Sequence, residues 1–270
     1  MAVTAFSPVP EKCIKDVFAD GLVIPEKCIK DVFGDGVLIG QYTVQCDENV
    51  NNTCSGFLAA SASAKAIIMS FRGTHGHGEL GQEFIDTLTQ APIDFIAGGK
   101  VNPFFSNAFN KLWNTGMKDA FLSYKNRHID YSLWITGHSL GAAMAAIAGG
   151  TIIKLGYFAP EKTSLYTFGE PRVGNKDYAA AMDSLLPIVY RVIHHHDMVP
   201  HLPLKGMLGY FHHKSEVWYN NDMKRGDPYI ICEEDEGAKC SDSEAELIWS
   251  DHDIYFGASI HFALNGCKKL

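Results

Sequence analysis

Trp134-Ile135-Thr136-Gly137-His138-Ser139-Leu140-Gly141-Ala142-Ala143 is the stretch that decides the fold of this chain. The apolar, β-branched run Leu133 to Thr136 precedes Gly-His-Ser-Leu-Gly, and the alanine-rich run Ala142 to Ile153 follows it. The motif therefore falls on a predicted strand, sharp turn and helix, the context of a nucleophile elbow. A serine on such a turn has a strained backbone, and glycine two residues before and two after it removes side chains that would collide there. Gly-x-Ser-x-Gly also arises by chance in a chain with 25 glycines, and the flanking strand and helix are what set this copy apart. Ser139 is expected to stand exposed above a sheet.

Outward from Ser139, strand and helix signals alternate. Ala66 to Phe71 is a short apolar run that ends in Arg72-Gly73-Thr74. Phe105 to Tyr124 places Phe105, Phe109, Leu112, Trp113, Met117, Ala120, Phe121 and Tyr124 at helical spacing, a stripe expected in the core. Further strands are predicted at 164–168, 188–194, 216–219 and 229–232, with a helix near 178–185. Strands alternating with helices imply a parallel sheet covered on both faces, whose functional side chains gather beyond the carboxyl ends of the strands. Thr74, Ser139 and Asp197 each follow such a strand. The histidines after Asp197 are His201, His212, His213, His252 and His261. His201 lies only four residues from the acid, between prolines, and His212-His213 sit ahead of a strand-like run. His252, in a polar loop after the last predicted strand, is favoured, and the order Ser, acid, His is that of α/β-hydrolase triads.

Composition excludes several classes. With 270 residues, 46% hydrophobic and 20% charged, the chain can bury one large core. A net charge of −8 and the absence of any lysine- or arginine-rich run argue against a nucleic-acid partner. No apolar run reaches the roughly 18 residues of a membrane span, and the first twenty residues lack the apolar core of a signal peptide. The cysteines nevertheless point to an oxidising, extracellular setting: Cys46 with Cys54 and Cys232 with Cys240 are spaced to close short surface loops. Asn51-Asn52-Thr53, inside the first loop, is an N-glycosylation acceptor. Secretion, with the export signal missing from this sequence, reconciles the two observations. His194-His195-His196 beside Asp197 invites a metal, but neighbouring strand residues point to opposite faces, so no metal site is expected. The acidic run Glu233 to Glu236 lacks calcium-loop spacing and reads as a solvated loop.

The stretch 9–21 recurs, nearly unchanged, fifteen positions later at 24–36. Two copies are too few for a solenoid, so residues 1–36 read as an N-terminal segment carrying a duplicated 13-residue motif, and residues 37–270 as the main domain.

Five blocks together carry a family resemblance: Phe71-Arg72-Gly73-Thr74, Ile135 to Ala143, Thr167-Phe168-Gly169-Glu170-Pro171-Arg172-Val173-Gly174-Asn175, Asp197-Met198-Val199-Pro200-His201-Leu202-Pro203 and His252-Asp253-Ile254-Tyr255-Phe256-Gly257. In this order they resemble the signature blocks of the lipase class 3 family, the fungal-type triacylglycerol lipases. The wider spacing, including Gln41-Tyr42-Thr43-Val44-Gln45-Cys46, resembles the secreted nematode members, over roughly Cys28 to Cys267.

The resemblance implies an α/β-hydrolase fold, a mostly parallel central sheet with helices on both faces. It implies Ser139 as nucleophile, Asp197 as acid and His252 as base, with Thr74 and Leu140 forming the oxyanion hole. It also implies a terminal bridge from Cys267 to Cys28 or Cys13, and a short lid within 75–92 offering Leu80, Phe84, Ile85 and Leu88. The activity implied is hydrolysis of lipid esters, triacylglycerol first, at a lipid–water interface; the triad mechanism needs no metal or organic cofactor, and nothing in the sequence demands more than a monomer. Phospholipase A1, a soluble carboxylesterase or feruloyl-type esterase, and acyl transfer to an alcohol share the same triad and differ in pocket and lid. A catalytically silent lipid-binding protein is the non-enzymatic alternative, since fold alone does not guarantee activity.

Overall fold

The apolar runs on either side of Ser139 become the central strand and central helix of the molecule. The computed structural model describes Ile29 and residues 33–46, 53–72, 87–224 and 226–259. Eight strands form one sheet in chain order: β1 (Val37–Gln45), β2 (Thr53–Ser61), β3 (Ala66–Phe71), β4 (Ser132–His138), β5 (Thr163–Phe168), β6 (Val189–His194), β7 (Glu216–Tyr219) and β8 (Ile230–Cys232). β3 to β7 run parallel, while antiparallel pairing adds β1 and β2 at one edge and β8 at the other.

Alternation along the strands sorts the core into two sides. Ile67, Met69 and Phe71 join Leu58, Leu133, Ile135 and Leu165 on one face, and Ala66 and Ile68 join Phe57 and Ala59 on the other. Burial on both faces is why β3 reads as a nearly continuous apolar run, broken only by Ser70, rather than an alternating one. The second face is covered by helical residues from the second copy of the repeat: Ile29 is buried, and the Phe33 ring lies 6.3 Å from that of Trp134. Asp35 accepts from Ser61 Oγ at 2.7 Å. The first copy lies outside the described residues.

Four helices pack on the first face: α1 (Pro103–Leu112), α2 (Lys118–Arg127), α3 (Leu140–Lys154) and α4 (Lys176–Leu185). α1 starts where a proline takes the first turn and the Asn102 side chain accepts from the Phe104 N–H. The stripe read as one helix over 105–124 is two helices, because Thr115 and Gly116 leave helical backbone. Asn114, Thr115 and Gly116 are all poor helix formers, yet Trp113 and Met117 on either side of the break stay buried. α3 is buried from Leu140 to Ile153, and its alanines and glycines let it lie close against the sheet.

Disulfides Cys46–Cys54 and Cys232–Cys240 close the two loops anticipated from their spacing. The acidic loop is solvated at Glu233 and Glu234, as expected, but not at its end. Glu236 turns inward and meets Arg172 in a bidentate pair, at 2.8 and 2.7 Å, with side-chain exposures of only 4% and 2%. A guanidinium buried so fully requires a carboxylate partner. No helix among the described residues is long and apolar enough to cross a membrane.

Candidate active site

β4 delivers Ser139 and α3 carries the chain away. At Ser139 the backbone takes φ +57° and ψ −128°, a sparsely allowed conformation for a residue with a side chain. Its N–H donates to the Phe168 carbonyl at the end of β5, at 2.9 Å. The glycines on either side are enforced by contact: a Cβ on Gly137 would lie 2.1 Å from the Gly141 oxygen, and one on Gly141 2.3 Å from the Phe71 oxygen. Leu140 is buried as the first residue of α3, so its N–H has no intrahelical acceptor and sits at the positive end of the helix.

Asp197 follows β6 on a tight turn, its N–H donating to the His194 carbonyl at 2.9 Å, and is fully buried. Both its oxygens face Nδ1 of His252, at 3.0 and 2.9 Å. The Val199 N–H donates to Oδ1 at 2.9 Å, and the Tyr255 hydroxyl donates to Oδ2. Burial pushes the carboxyl up, but His252 and these donors pull it further down, leaving it below the ordinary 3.8. Asp197 is thus an ionised carboxylate inside the protein.

His252 lies in the turn Trp249–Asp253 and is buried. The structure makes room for it at Gly169, where a Cβ would lie 2.7 Å from Cε1 of His252 and 2.8 Å from Oδ2 of Asp197. His138 stacks on the same ring with centroids 4.4 Å apart, and its Nε2–H donates to the His252 carbonyl at 2.9 Å. Burial, and then the neighbouring His252, lower the His138 pKa to about 3, so this ring is neutral at working pH. Ser139, Asp197 and His252 are therefore gathered together: the chain neighbour of Ser139 touches His252, and Gly169, next to the acceptor of the Ser139 N–H, lies against both His252 and Asp197.

The histidine run holds the loop that bears His252. Nδ1 of His194 lies 2.9 Å from the Asp251 carbonyl oxygen, Nδ1 of His195 lies 2.9 Å from Asp251 Oδ2, and the His196 N–H donates to that same oxygen at 3.1 Å. The strand alternation used to set these residues aside as metal ligands stops too early to apply. β6 ends at His194 and His195 has φ +43°, so His195 and His196 lie on a turn. Among the described residues, His195, His196 and Asp251 are the group with metal-donor spacing.

The other histidines considered from sequence are engaged elsewhere. His201 Nδ1 is 3.4 Å from Asp242, His212 Nε2 donates to the Pro200 carbonyl at 2.7 Å, and His213 pairs with Glu170 at 3.0 Å. Thr74, Asn51, Cys13, Cys28, Cys267 and His261 lie outside the described residues. Leu88, read as part of the lid, is buried in the main core. Sequence reading overlooked His138, Gly169, Asp251 and Tyr255. All four lie within or beside the quoted blocks, but their roles depend on contacts between blocks.

Comparison with known proteins identifies the family. Residues 68–207 match the model of the family Lipase (class 3). The chain is 34% identical to lipase ZK262.3 of Caenorhabditis elegans, over 85% of this chain and 72% of that protein. It is 29% identical to secreted mono- and diacylglycerol lipase 1 of Fusarium solani, over 74% of this chain and 59% of that one. Among solved structures it is similar to a triacylglycerol lipase whose catalytic centre is a serine protease triad, with TM-score 0.76 and 26% identity, covering 97% of this chain and 93% of that one. The chain belongs to the class 3 lipase family. It has the α/β-hydrolase fold of that family and is a serine ester hydrolase acting on lipid esters.

Proposed function

We propose that Ser139, Asp197 and His252 are the catalytic triad and that the substrate is a triacylglycerol. The observation that carries the reading is the buried Asp197–His252 pair, with both carboxylate oxygens on Nδ1 of the imidazole. That contact fixes the tautomer with its proton on Nδ1 and leaves Nε2 as the base. His252 takes the Ser139 proton as Oγ attacks the ester carbonyl, then returns it to the leaving alcohol, and water repeats the cycle on the acyl-enzyme. Asp197 stabilises the imidazolium formed in each half. The N–H of Leu140, with Thr74, stabilises the tetrahedral oxyanion, at about 3–4 kcal/mol per donor. No step requires a metal or an organic cofactor.

The remaining assignments complete this reading. Residues 37–270 form the catalytic domain, onto which the second repeat copy docks through Ile29 and Phe33. The protein is secreted and monomeric, works at a lipid–water interface, and carries a glycan on Asn51. The family resemblance adds a bridge from Cys267 to Cys28 or Cys13. Two loop-closing disulfides and the secreted relative of Fusarium solani support the extracellular setting.

The test is hydrolysis of emulsified long-chain triacylglycerol beside a soluble short-chain ester, with Ser139→Ala as control. The wild type should cleave the emulsion, and the variant should lose about a million-fold in turnover. Cleavage of the soluble ester alone would replace lipase by esterase, and preference for a phospholipid would replace it by phospholipase A1. A folded wild type no faster than the variant on every ester would overturn the triad.

A further inference from the structure

The turn after β6 places two imidazoles side by side in front of a carboxylate. The rings of His195 and His196 are stacked with centroids 4.0 Å apart and planes 8° apart. One ring nitrogen of each and a carboxylate oxygen of Asp251 all lie within 4.8 Å of one another. Oε2 of Glu244 is 3.4 Å from Nε2 of His196, while Nδ1 of His196 is buried and bonded to nothing. The side chains remain partly open to solvent, at 38% for His195 and 17% for both His196 and Asp251, so an ion can reach them.

We propose that His195, His196 and Asp251 bind a borderline divalent transition-metal ion of the zinc class. Two imidazoles with a carboxylate oxygen are a donor set that zinc accepts, whereas calcium and magnesium take oxygen ligands. Tetrahedral donors about 2.0–2.2 Å from an ion stand roughly 3.4 Å apart. His195 Nδ1 and Asp251 Oδ2, at 2.9 Å, reach that separation by parting about half an ångström as the metal replaces the proton between them, and the nearly parallel rings turn out of their stack so that both nitrogen lone pairs aim at the ion. The ion would cross-link the turn that leads into Asp197 to the loop that carries His252. It touches neither the reacting ester nor the triad, so its role is to stabilise and position that loop.

The experiment uses untagged, chelator-treated protein titrated with zinc(II) alone, followed by calorimetry and thermal unfolding, and with copper(II) for electron paramagnetic resonance. One ion per chain should bind, raise the melting temperature, and give a copper spectrum split by two nitrogens. His195→Gln and Asp251→Asn should each weaken zinc binding by about 10- to 100-fold and remove nitrogen or oxygen coordination accordingly. His128→Gln, a histidine at the end of α2, should leave it unchanged. His196→Gln supplies a third substitution within the donor group should either of the others fail to fold by circular dichroism. Absence of saturable binding on the order of 100 μM, or binding that every one of these variants retains, would overturn the site.

Discussion

The Tyr255 hydroxyl donates to Oδ2 of Asp197, the oxygen that faces Nδ1 of His252 at 2.9 Å. One buried carboxylate oxygen is thereby shared between the proposed base and a phenol three residues further along the chain. Burial, and then Asp197 itself, push the Tyr255 phenol well above its ordinary value, so it remains a donor at every working pH. Tyr255→Phe removes a hydrogen bond to a charged group, of the kind that contributes about 1.5–3 kcal/mol. Expected outcomes are a loss of stability of that order in urea unfolding and a fall in kcat of roughly tenfold as the imidazolium loses support. Unchanged kcat would show that Asp197 needs no help from the phenol.

Gly169 is the second control point. Its φ is +56°, and a Cβ there would meet both His252 and Asp197 within 2.8 Å. Gly169→Ala should therefore displace the imidazole from Asp197 while leaving the sheet intact. A displacement near 1 Å at a reacting group costs about 100-fold, so kcat/KM should fall at least that far. Backbone strain adds about 1–3 kcal/mol of destabilisation. Kinetics with near-ultraviolet circular dichroism separates the two effects, and full activity in the variant would refute the packing argument.

These contacts mark the boundary of what the chain reveals unfolded. The Ser139 elbow is legible because all its determinants are local: a β-branched run, two glycines at fixed offsets, and an alanine-rich helix. Asp197 and His252 are legible through their order after Ser139. β1 and β2 are harder to see, since polar Gln41, Thr43 and Gln45 on an edge strand break the apolar signal. The inward turn of Glu236 depends on Arg172, 64 residues away, and no local pattern announces it. The positive φ of His195 is likewise silent in sequence, because favourable contacts of its neighbours, not a glycine, hold it there.

Acid should destabilise the protein in a window that His138 helps set. Its folded pKa is about 3 against 6.5 for the free side chain, so the unfolded chain binds a proton that the folded one refuses. Stability is then full above pH 6.5 and is lost as pH falls toward 3, at about 1.4 kcal/mol per pH unit within that range. His212, lowered by burial and then by Arg191, acts in the same direction. Asp197, whose pKa is depressed, adds its loss only as pH drops below 3.8. His138→Asn keeps a donor for the His252 carbonyl but cannot titrate, so urea midpoints between pH 6 and 4.5 should vary less steeply with pH by roughly that slope. An identical slope in both proteins would place the acid sensitivity elsewhere.

The Arg172–Glu236 pair couples the second disulfide loop to the chain that leaves Asp197. Arg172 also donates from Nη1 to the Pro203 carbonyl at 3.0 Å, and its backbone N–H donates to the Leu202 carbonyl at 2.8 Å. Glu236 in turn accepts from the His212 N–H at 2.7 Å. Glu236→Ala leaves a guanidinium buried with only a 3.4 Å contact to Asp242 as ionic partner, and breaking such a pair costs about 3–5 kcal/mol. Replacing both members by apolar residues of similar size, Arg172→Met with Glu236→Leu, removes the unpaired charge and should recover most of that loss. Urea unfolding of Arg172→Met, Glu236→Leu and the double variant measures the coupling directly. If the double variant were as unstable as Glu236→Ala, packing of the loop rather than charge pairing would be what holds Glu236 inside.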